Sequence, residues 1–339
     1  MGQPDSILNT IQYVNHRGSI RKPREDGARG VIIDAHVHVI DHVAGRTRSG
    51  PTRSLGYGKI SWGPRELQLL TPSANPTAFS PETLLAYMDW AGVDKAVLLQ
   101  GGFYGDKNSY VASATARWPD RLVGAGYIDP CAADAEKVFR RCVDELGFRI
   151  LKFELSVETG LVGLHPQLRL DGESMSWIWD EAKRRDLVVT LDLGAVGSAS
   201  YQTDALRAIL DRHPRLKVVI AHLAQPPIAA IDDSELDLRW EAQLLLARRP
   251  NVWLDLSSLP GYAAAIEEYP YPTAQAYVRR AVELVGADKL LWGSDVPGVL
   301  PVATYPQLLG FVAQHCDFLA DDERKRILGL NAEQVYFSR

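Results

Sequence analysis

Two histidines stand one residue apart inside an apolar run, VIIDAHVHVI at residues 31–40. In an extended strand the side chains at i and i+2 share a face, so His36 and His38 point the same way and Asp34 lines up behind them. A lone buried histidine is usually satisfied by a backbone carbonyl. Two imidazoles on one face favour metal ligation instead, because neutral imidazole is the commonest nitrogen ligand of metals in proteins. The rest of the chain must then supply further ligands.

The elements that would position these histidines are eight apolar runs that alternate with segments of helical spacing. The runs cover residues 31–36, 95–100, 121–128, 148–155, 187–193, 216–223, 251–258 and 289–295. Several of the intervening segments end at Gly or Pro, as helices tend to do. Eight strand-helix units predict an α/β protein, a (β/α)8 TIM barrel over residues 31–339. Residues 1–30 predict a polar N-terminal arm, and residues 41–80, rich in Gly, Pro, Ser and Thr, predict a long loop over the barrel mouth.

Side chains that could do chemistry stand at the ends of five predicted strands. The first strand ends with His36 and His38, the fourth carries Lys152 and Glu154 on one face, the fifth ends at Asp192, the sixth at His222 and the eighth at Asp295. Any one of these groups alone would be interpreted as an ion pair or a helix cap. In (β/α)8 barrels, however, the C-terminal strand ends meet at the active site. Their convergence therefore predicts a functional site at the mouth.

Three motifs in order, DAHVH, VIAHL and LLWGSDVP, resemble the amidohydrolase superfamily. The chain is similar to its amidohydrolase-related branch, which includes aminocarboxymuconate semialdehyde decarboxylase and related aromatic acid decarboxylases, from residue 31 to the C-terminal GLNAEQVY. The resemblance implies a barrel of the metal-dependent hydrolase type with a divalent metal held by His36, His38 and Asp295. It also implies that His222 is a further ligand or polarises the substrate. Asp295 would transfer the proton of a metal-activated water.

At the end of the fifth strand the sequence departs from the family pattern, because TLDLG has Asp192 where the family has a histidine. The candidate metal ligands are then His36, His38, Glu154, Asp192, His222 and Asp295. Six ligands exceed the needs of one zinc and predict two ions per chain, with Glu154 as the bridging carboxylate. Lys152 is the alternative to Glu154 as a carboxylated residue, or a partner of Glu154 or of the substrate. An oxygen-rich site favours iron or manganese, with zinc still possible.

Two functions remain open from the sequence. The first is metal-dependent hydrolysis of an amide, ester or lactone, or decarboxylation of a small organic acid, through a metal-activated water. The second is a dinuclear non-haem iron, or iron and manganese, monooxygenase on the same fold, because mixed His and carboxylate sites resemble those of di-iron oxygenases. A metal-free binding protein is also conceivable on this fold, but it would be expected to lack most of the ligands.

Composition favours a small-molecule substrate. The net charge of −5 and the pI near 5.9 offer no basic face, so nucleic acid and membrane are not expected as partners. Tyr104, in QGGFYGDKNSY, is predicted to contact the substrate together with Lys152, because the glycines bring the backbone close to the mouth. Ser257 and Tyr262 are weaker candidates, since residues of these types at such positions more often pack loops or cap helices.

Cysteine usage and the first residues bear on localisation. The three cysteines, Cys131, Cys142 and Cys316, have no CxxC spacing, which favours a reducing cytoplasm over a disulfide framework or a thiolate zinc site. The chain begins with no signal-peptide pattern and contains no apolar run of about 18 residues. The polar arm at residues 1–30 is predicted to lie on the surface or on a partner subunit, and the second alternative would imply a homo-oligomer or a complex with a related subunit.

Overall fold

Eight parallel strands form a nearly closed barrel surrounded by helices, which confirms the predicted (β/α)8 fold. The structure is a computed structural model and describes residues 30–230 and 232–338. The strands are β1 (Ile33–Val37), β2 (Arg46–Thr47), β3 (Gly50–Gly56), β4 (Lys59–Trp62), β5 (Arg65–Gln68), β6 (Lys95–Leu98), β7 (Leu122–Tyr127), β8 (Ile150–Glu154), β9 (Val188–Asp192), β10 (Lys217–Ile220), β11 (Val252–Asp255) and β12 (Leu290–Leu291). The barrel consists of β1 and β6–β12, paired in sequence order.

Helices connect and cover these strands. They are α1 (Pro81–Ala91), α2 (Asn108–Arg117), α3 (Ala135–Arg140), α4 (Leu161–Leu164), α5 (Glu173–Arg184), α6 (Thr203–Arg212), α7 (Ser234–Leu244), α8 (Leu259–Ala263), α9 (Pro272–Val285), α10 (Tyr305–Ala313) and α11 (Asp321–Lys325). Short 3-10 helices span Ala221–Ala224, Ile228–Ala230, Leu245–Arg248 and Ala287–Lys289, and π-helical turns span Arg141–Glu145, Arg326–Leu330 and Glu333–Phe337. None of the helices in the described part of the chain is long and apolar enough to cross a membrane.

The barrel interior is apolar below its mouth. Its packed side chains are Ile33, Ala35, Val97, Leu99, Ala125, Ile150, Val188, Val219, Trp253 and Leu291, together with Ala332 and Val335 from the C-terminal segment. In β8 the side chains alternate, so Lys152 and Glu154 follow Ile150 on the inner face and lie progressively nearer the C-terminal end. The apolar layers hold the strands, and polar groups are concentrated at the end where the strands finish.

The barrel closes between β1 and the segment that follows β12. The Ala35 amide donates to the carbonyl of Trp292 (2.9 Å), and the His38 amide donates to that of Val296 (2.8 Å). The Asp295 amide donates to the carbonyl of His36 (2.8 Å). This backbone pairing brings Asp295 beside the two histidines although they are far apart in sequence.

Asp34 does not lie behind the histidines as strict alternation predicts. The pairing of β1 with β6 shifts register between Asp34 and Val37, which turns Asp34 away from the face that His36 occupies. The Asp34 carboxylate instead accepts hydrogen bonds from the Ser294 amide (2.8 Å) and the Tyr305 hydroxyl (2.8 Å). Burial raises the pKa of Asp34 to about 7 although these donors oppose the shift. Asp34 therefore connects β1 to the last barrel segment and to α10.

The segment at residues 41–80, predicted as a loop, contains a four-stranded antiparallel sheet formed by β2–β5. Tyr57 and Gly58 adopt left-handed conformations (φ 50° and 73°) in the turn between β3 and β4. The composition of the segment suggested a loop, but its glycines permit a tight hairpin turn. The predicted arm at residues 1–30 lies outside the described residues except for Gly30.

Candidate metal centre

Three strand ends at the mouth finish in left-handed backbone. His222 after β10, Ser258 after β11 and Asp295 after β12 have φ values of 58°, 63° and 60°. Non-glycine residues rarely adopt this conformation, and such strain is concentrated at functional sites because surrounding contacts must enforce it. The sharp turns place these side chains where the barrel opens.

His36, His38 and Asp295, the mouth trio, present ligand atoms that all lie within 4.8 Å of one another. Nε2 of His38 is 3.1 Å from Oδ1 of Asp295, and Nε2 of His36 is 3.8 Å from the same oxygen. The other ring nitrogens are held, because Nδ1 of His38 donates to the Leu99 carbonyl (2.9 Å) and Nδ1 of His36 donates to Asp255 (3.0 Å). The Nε2 atoms of both rings therefore face Asp295 at the mouth, as in metal sites whose histidine ligands are oriented by a partner on the other ring nitrogen.

The charge states of His36 and Asp295 favour the binding of a cation. Burial lowers the pKa of His36 to about 4, and the Lys152 ammonium acts in the same direction, so the imidazole is neutral. Burial opposes ionisation of Asp295, but the hydrogen bond from His38 and the neighbouring histidines hold the pKa of its carboxyl well below the usual range. Two imidazoles and one carboxylate form a donor set that fits a divalent metal.

Asp255 is a site residue that sequence reasoning missed. Its carboxylate accepts hydrogen bonds from Nδ1 of His36, from the His222 amide (3.0 Å), and from both the amide (3.1 Å) and the hydroxyl of Ser257. Burial alone would raise its pKa, but the interaction with His36 holds the pKa of Asp255 at about 2. The available signal was its place at the end of the seventh strand, in NVWLDLSS, which parallels that of Asp192.

We expect Asp255→Asn to weaken zinc binding by about 10–100-fold, the usual cost of losing a partner that orients a ligating histidine. The amide replaces one carboxylate oxygen by a donor and can no longer accept all of these hydrogen bonds. A competition titration against a chromophoric chelator measures the change. Asp41→Asn is the matched control, because Asp41 pairs with Lys107 (2.8 Å). Equal zinc affinity in the two variants would contradict the orienting role of Asp255.

The other three predicted ligands form a second polar chain beside the mouth trio. Oδ2 of Asp192 is 3.3 Å from Nε2 of His222, and Asp192 also hydrogen-bonds Glu154, its register partner across β8 and β9. Burial would lower the pKa of His222, but Asp192 raises it to about 9. Burial, reinforced by Asp192, raises the pKa of Glu154 to about 8. These carboxylates thus contact each other and His222, whose ring lies 4.7 Å from that of His36.

Lys152 and Tyr104, the predicted substrate-binding residues, both lie against the mouth trio. Nζ of Lys152 is buried 3.4 Å from Nε2 of His36. The Tyr104 ring lies 5.1 Å from that of His38, and the Tyr262 ring lies 6.0 Å from that of His222. Burial raises the pKa of both tyrosines, so their hydroxyls remain protonated and can donate hydrogen bonds. The mouth therefore combines a carboxylate, a buried ammonium and two phenols.

A (β/α)8 barrel with two histidines at the end of its first strand and an aspartate after its last defines an enzyme of the amidohydrolase type. The chain belongs to the amidohydrolase family, whose model matches residues 33–337. Membership of this family supports a hydrolase or lyase, and the lactonase relative described below gives no support to the oxygenase alternative.

Three relatives illustrate this family membership. L-fucono-1,5-lactonase of Burkholderia ambifaria is 29% identical over 316 residues, which cover 90% of this chain and 94% of that protein. The crystal structure of an amidohydrolase from Burkholderia multivorans with bound zinc has a TM-score of 0.68 at 19% identity and covers 91% of this chain and 100% of its own. That of a 2,6-dihydroxybenzoate decarboxylase has a TM-score of 0.52 at 17% identity and covers 76% of this chain and 88% of its own. At such identities the two structures show the fold alone.

Proposed function

We propose that the protein hydrolyses a lactone of a small sugar acid at the barrel mouth, with Asp295 as the acid-base residue. The observation that carries the proposal is the Asp295 carboxylate, whose Oδ1 lies 3.1 Å from Nε2 of His38 and 3.8 Å from Nε2 of His36. The similarity to a fuconolactonase over nearly the whole chain supports a lactone in preference to an amide.

The residues of the mouth divide the work of ring opening. Asp295 accepts a proton from the attacking water and returns it to the ring oxygen when the ester bond breaks. Its second carboxylate oxygen, Oδ2, accepts a hydrogen bond from Ser258 (2.7 Å), which fixes the orientation of the group. Lys152 and the hydroxyls of Tyr104 and Tyr262 supply donors for the lactone carbonyl and the sugar hydroxyls.

The mouth trio would hold a divalent ion, for which we propose zinc. When bound, the ion lowers the pKa of a coordinated water from about 15.7 to near 7 and polarises the carbonyl. Two imidazoles and one carboxylate match the ligands of catalytic zinc. His222, anchored by Asp192, is then available to the substrate.

The number of ions separates this proposal from the two-ion centre with bridging Glu154. We propose one ion at the mouth, because only the mouth trio brings three of the six predicted ligands within one ligand sphere among the described residues. Metal analysis of protein purified without added metal measures the content. If the mouth bound about two ions in the wild type and about one in Glu154→Ala, the result would instead support the dinuclear site. Iron or manganese would then again be the expected metals.

A panel of substrates tests the reaction. We expect the protein to open sugar 1,5-lactones, measured as acid release with a pH indicator, and to leave hydroxybenzoates intact. The side chains assigned to the mouth include no arginine, whose guanidinium would be the preferred group for binding a free carboxylate. Carbon dioxide release from hydroxybenzoates without lactone hydrolysis would overturn the proposal in favour of decarboxylation.

We expect Lys152→Met to tighten zinc binding at the mouth about tenfold or more while lowering lactone turnover. The Lys152 ammonium lies 3.4 Å from Nε2 of His36, a proposed ligand of the ion. Two like unit charges about 4 Å apart repel by about 4 kcal/mol at the effective dielectric constant of protein sites, so the ammonium should oppose the cation. Zinc titration and steady-state kinetics measure the two effects separately. Lys107→Met is the matched control, because Lys107 is also buried but pairs with Asp41. Weaker zinc binding in Lys152→Met would mean that Lys152 assists the metal.

A further inference from the structure

A second group of metal-ligating side chains lies outside the proposed active site. Asp129, Cys131 and His165, the rim cluster, present an oxygen, a sulfur and a nitrogen that all lie within 4.8 Å of one another. Asp129 and Cys131 follow the third barrel strand β7, and His165 follows α4. The rim cluster shares no residue with the mouth trio or with the chain of Glu154, Asp192 and His222.

Local hydrogen bonds hold the rim cluster together. Oδ2 of Asp129 lies 2.9 Å from Nε2 of His165, and Oδ1 accepts a hydrogen bond from the Cys131 amide (2.9 Å). The hydrogen bond from the Cys131 amide to Asp129 turns the chain so that both side chains lie near His165. The side chains of His165 and Asp129 are 24% and 28% exposed, so an ion can reach them from solvent.

We propose that the rim cluster is a second metal site, selective for a zinc-class divalent cation. Cys131, His165 and Asp129 would be its ligands, and water would complete the coordination. Thiolate and imidazole together favour zinc over magnesium or calcium, which prefer oxygen ligands. The ion would join the loop after β7 to the segment after α4, on neighbouring barrel units.

Metal binding at the rim cluster displaces the proton of the Cys131 thiol. Burial raises the pKa of the Cys131 thiol and Asp129 adds to this shift, so the sulfur carries a proton before the ion arrives. Coordination forms the metal–sulfur bond and releases the thiol proton to solvent, and His165 binds through a ring nitrogen that carries no proton in the complex. One thiolate and one carboxylate then neutralise the two charges of the cation.

The rim cluster changes how a metal count is interpreted. One ion at the mouth trio and one at the rim would total about two ions per chain without any bridging carboxylate. The Cys131→Ser variant separates these cases, because it removes a rim ligand and leaves the mouth intact.

Cobalt titration of metal-stripped full-length protein tests the site, because the rim cluster has a sulfur ligand and the mouth trio does not. We expect a thiolate-to-cobalt charge-transfer band in the wild type, its loss in Cys131→Ser, and at least tenfold weaker cobalt binding in His165→Gln. Cys316→Ala is the matched control and should keep the band, since Cys316 is buried elsewhere. The double variant His36→Ala/His38→Ala should also keep it.

Zinc content supplies the second measurement. In Cys131→Ser it should fall by about one ion per chain with lactone hydrolysis unchanged, because no mouth ligand is altered. A wild type that shows no thiolate band at saturating cobalt, or a Cys131→Ser variant with the wild-type spectrum and zinc content, would overturn the rim site. Neither result would affect the proposed lactonase activity, which depends on the mouth trio.

Discussion

Asp295→Asn should lower kcat for lactone hydrolysis by about 10²–10⁴-fold, the usual contribution of a positioned general acid-base group. The asparagine side chain keeps the size of the aspartate and can still contact Ser258, but it cannot accept the proton of water. Because asparagine is also a weaker metal ligand than aspartate, the two proteins are compared at saturating zinc. The loss should therefore appear mainly in kcat, while KM changes little. Steady-state kinetics on a sugar lactone measure both.

Ser258→Ala provides the comparison for this prediction. It removes a hydrogen bond to Oδ2 of Asp295 without removing the base, so we expect a loss of about tenfold or less, in line with the modest net value of one hydrogen bond. If Asp295→Asn retained most of its kcat, the proton would be transferred by another group, with the chain of His222, Asp192 and Glu154 as the next candidate.

The double substitution His36→Ala/His38→Ala should abolish zinc binding at the mouth and lactone turnover together. Each histidine contributes one of the three ligands in the mouth trio, and one remaining carboxylate cannot retain the ion. Zinc binding at the mouth should stabilise the native state by mass action, and the double variant should lose this stabilisation.

Thermal unfolding with and without zinc measures this effect, and it should be made in the Cys131→Ser background so that the rim cluster does not contribute. The parent Cys131→Ser protein should gain thermal stability on zinc addition, and the triple variant should not. Equal zinc stabilisation of the two proteins would contradict the assignment of the mouth trio as the ligand set.

Much of the barrel could be predicted because its strands are continuous apolar runs. Buried parallel strands require such runs, and the structure places a strand in each of the eight predicted segments, with β1 extending one residue past the first of them. The last is the least complete: β12 spans Leu290–Leu291, whereas the predicted run ends at Asp295, where the backbone turns left-handed. The strand ends nevertheless identified the residues that meet at the mouth.

Features that depend on long-range contacts were not predictable from local pattern. The register shift in β1 sends Asp34 to Tyr305, far away in sequence, and period-two alternation cannot anticipate a bulge. Asp255 stands in the same type of position as Asp192, but its role depends on contacts with His36 and His222 from other strands. The sheet of β2–β5 was hidden by turn-forming residues that are equally common in loops.

Crystals of the Asp295→Asn variant soaked with L-fucono-1,5-lactone test the central claim most directly, because the variant should bind the substrate without opening it rapidly. The account predicts density for the lactone, or for its ring-opened acid, at the barrel mouth, with the carbonyl carbon facing residue 295 and the ring between Tyr104 and Tyr262. A mouth without ligand at saturating lactone, or a lactone bound with its carbonyl directed away from residue 295 and the two histidines, would contradict it.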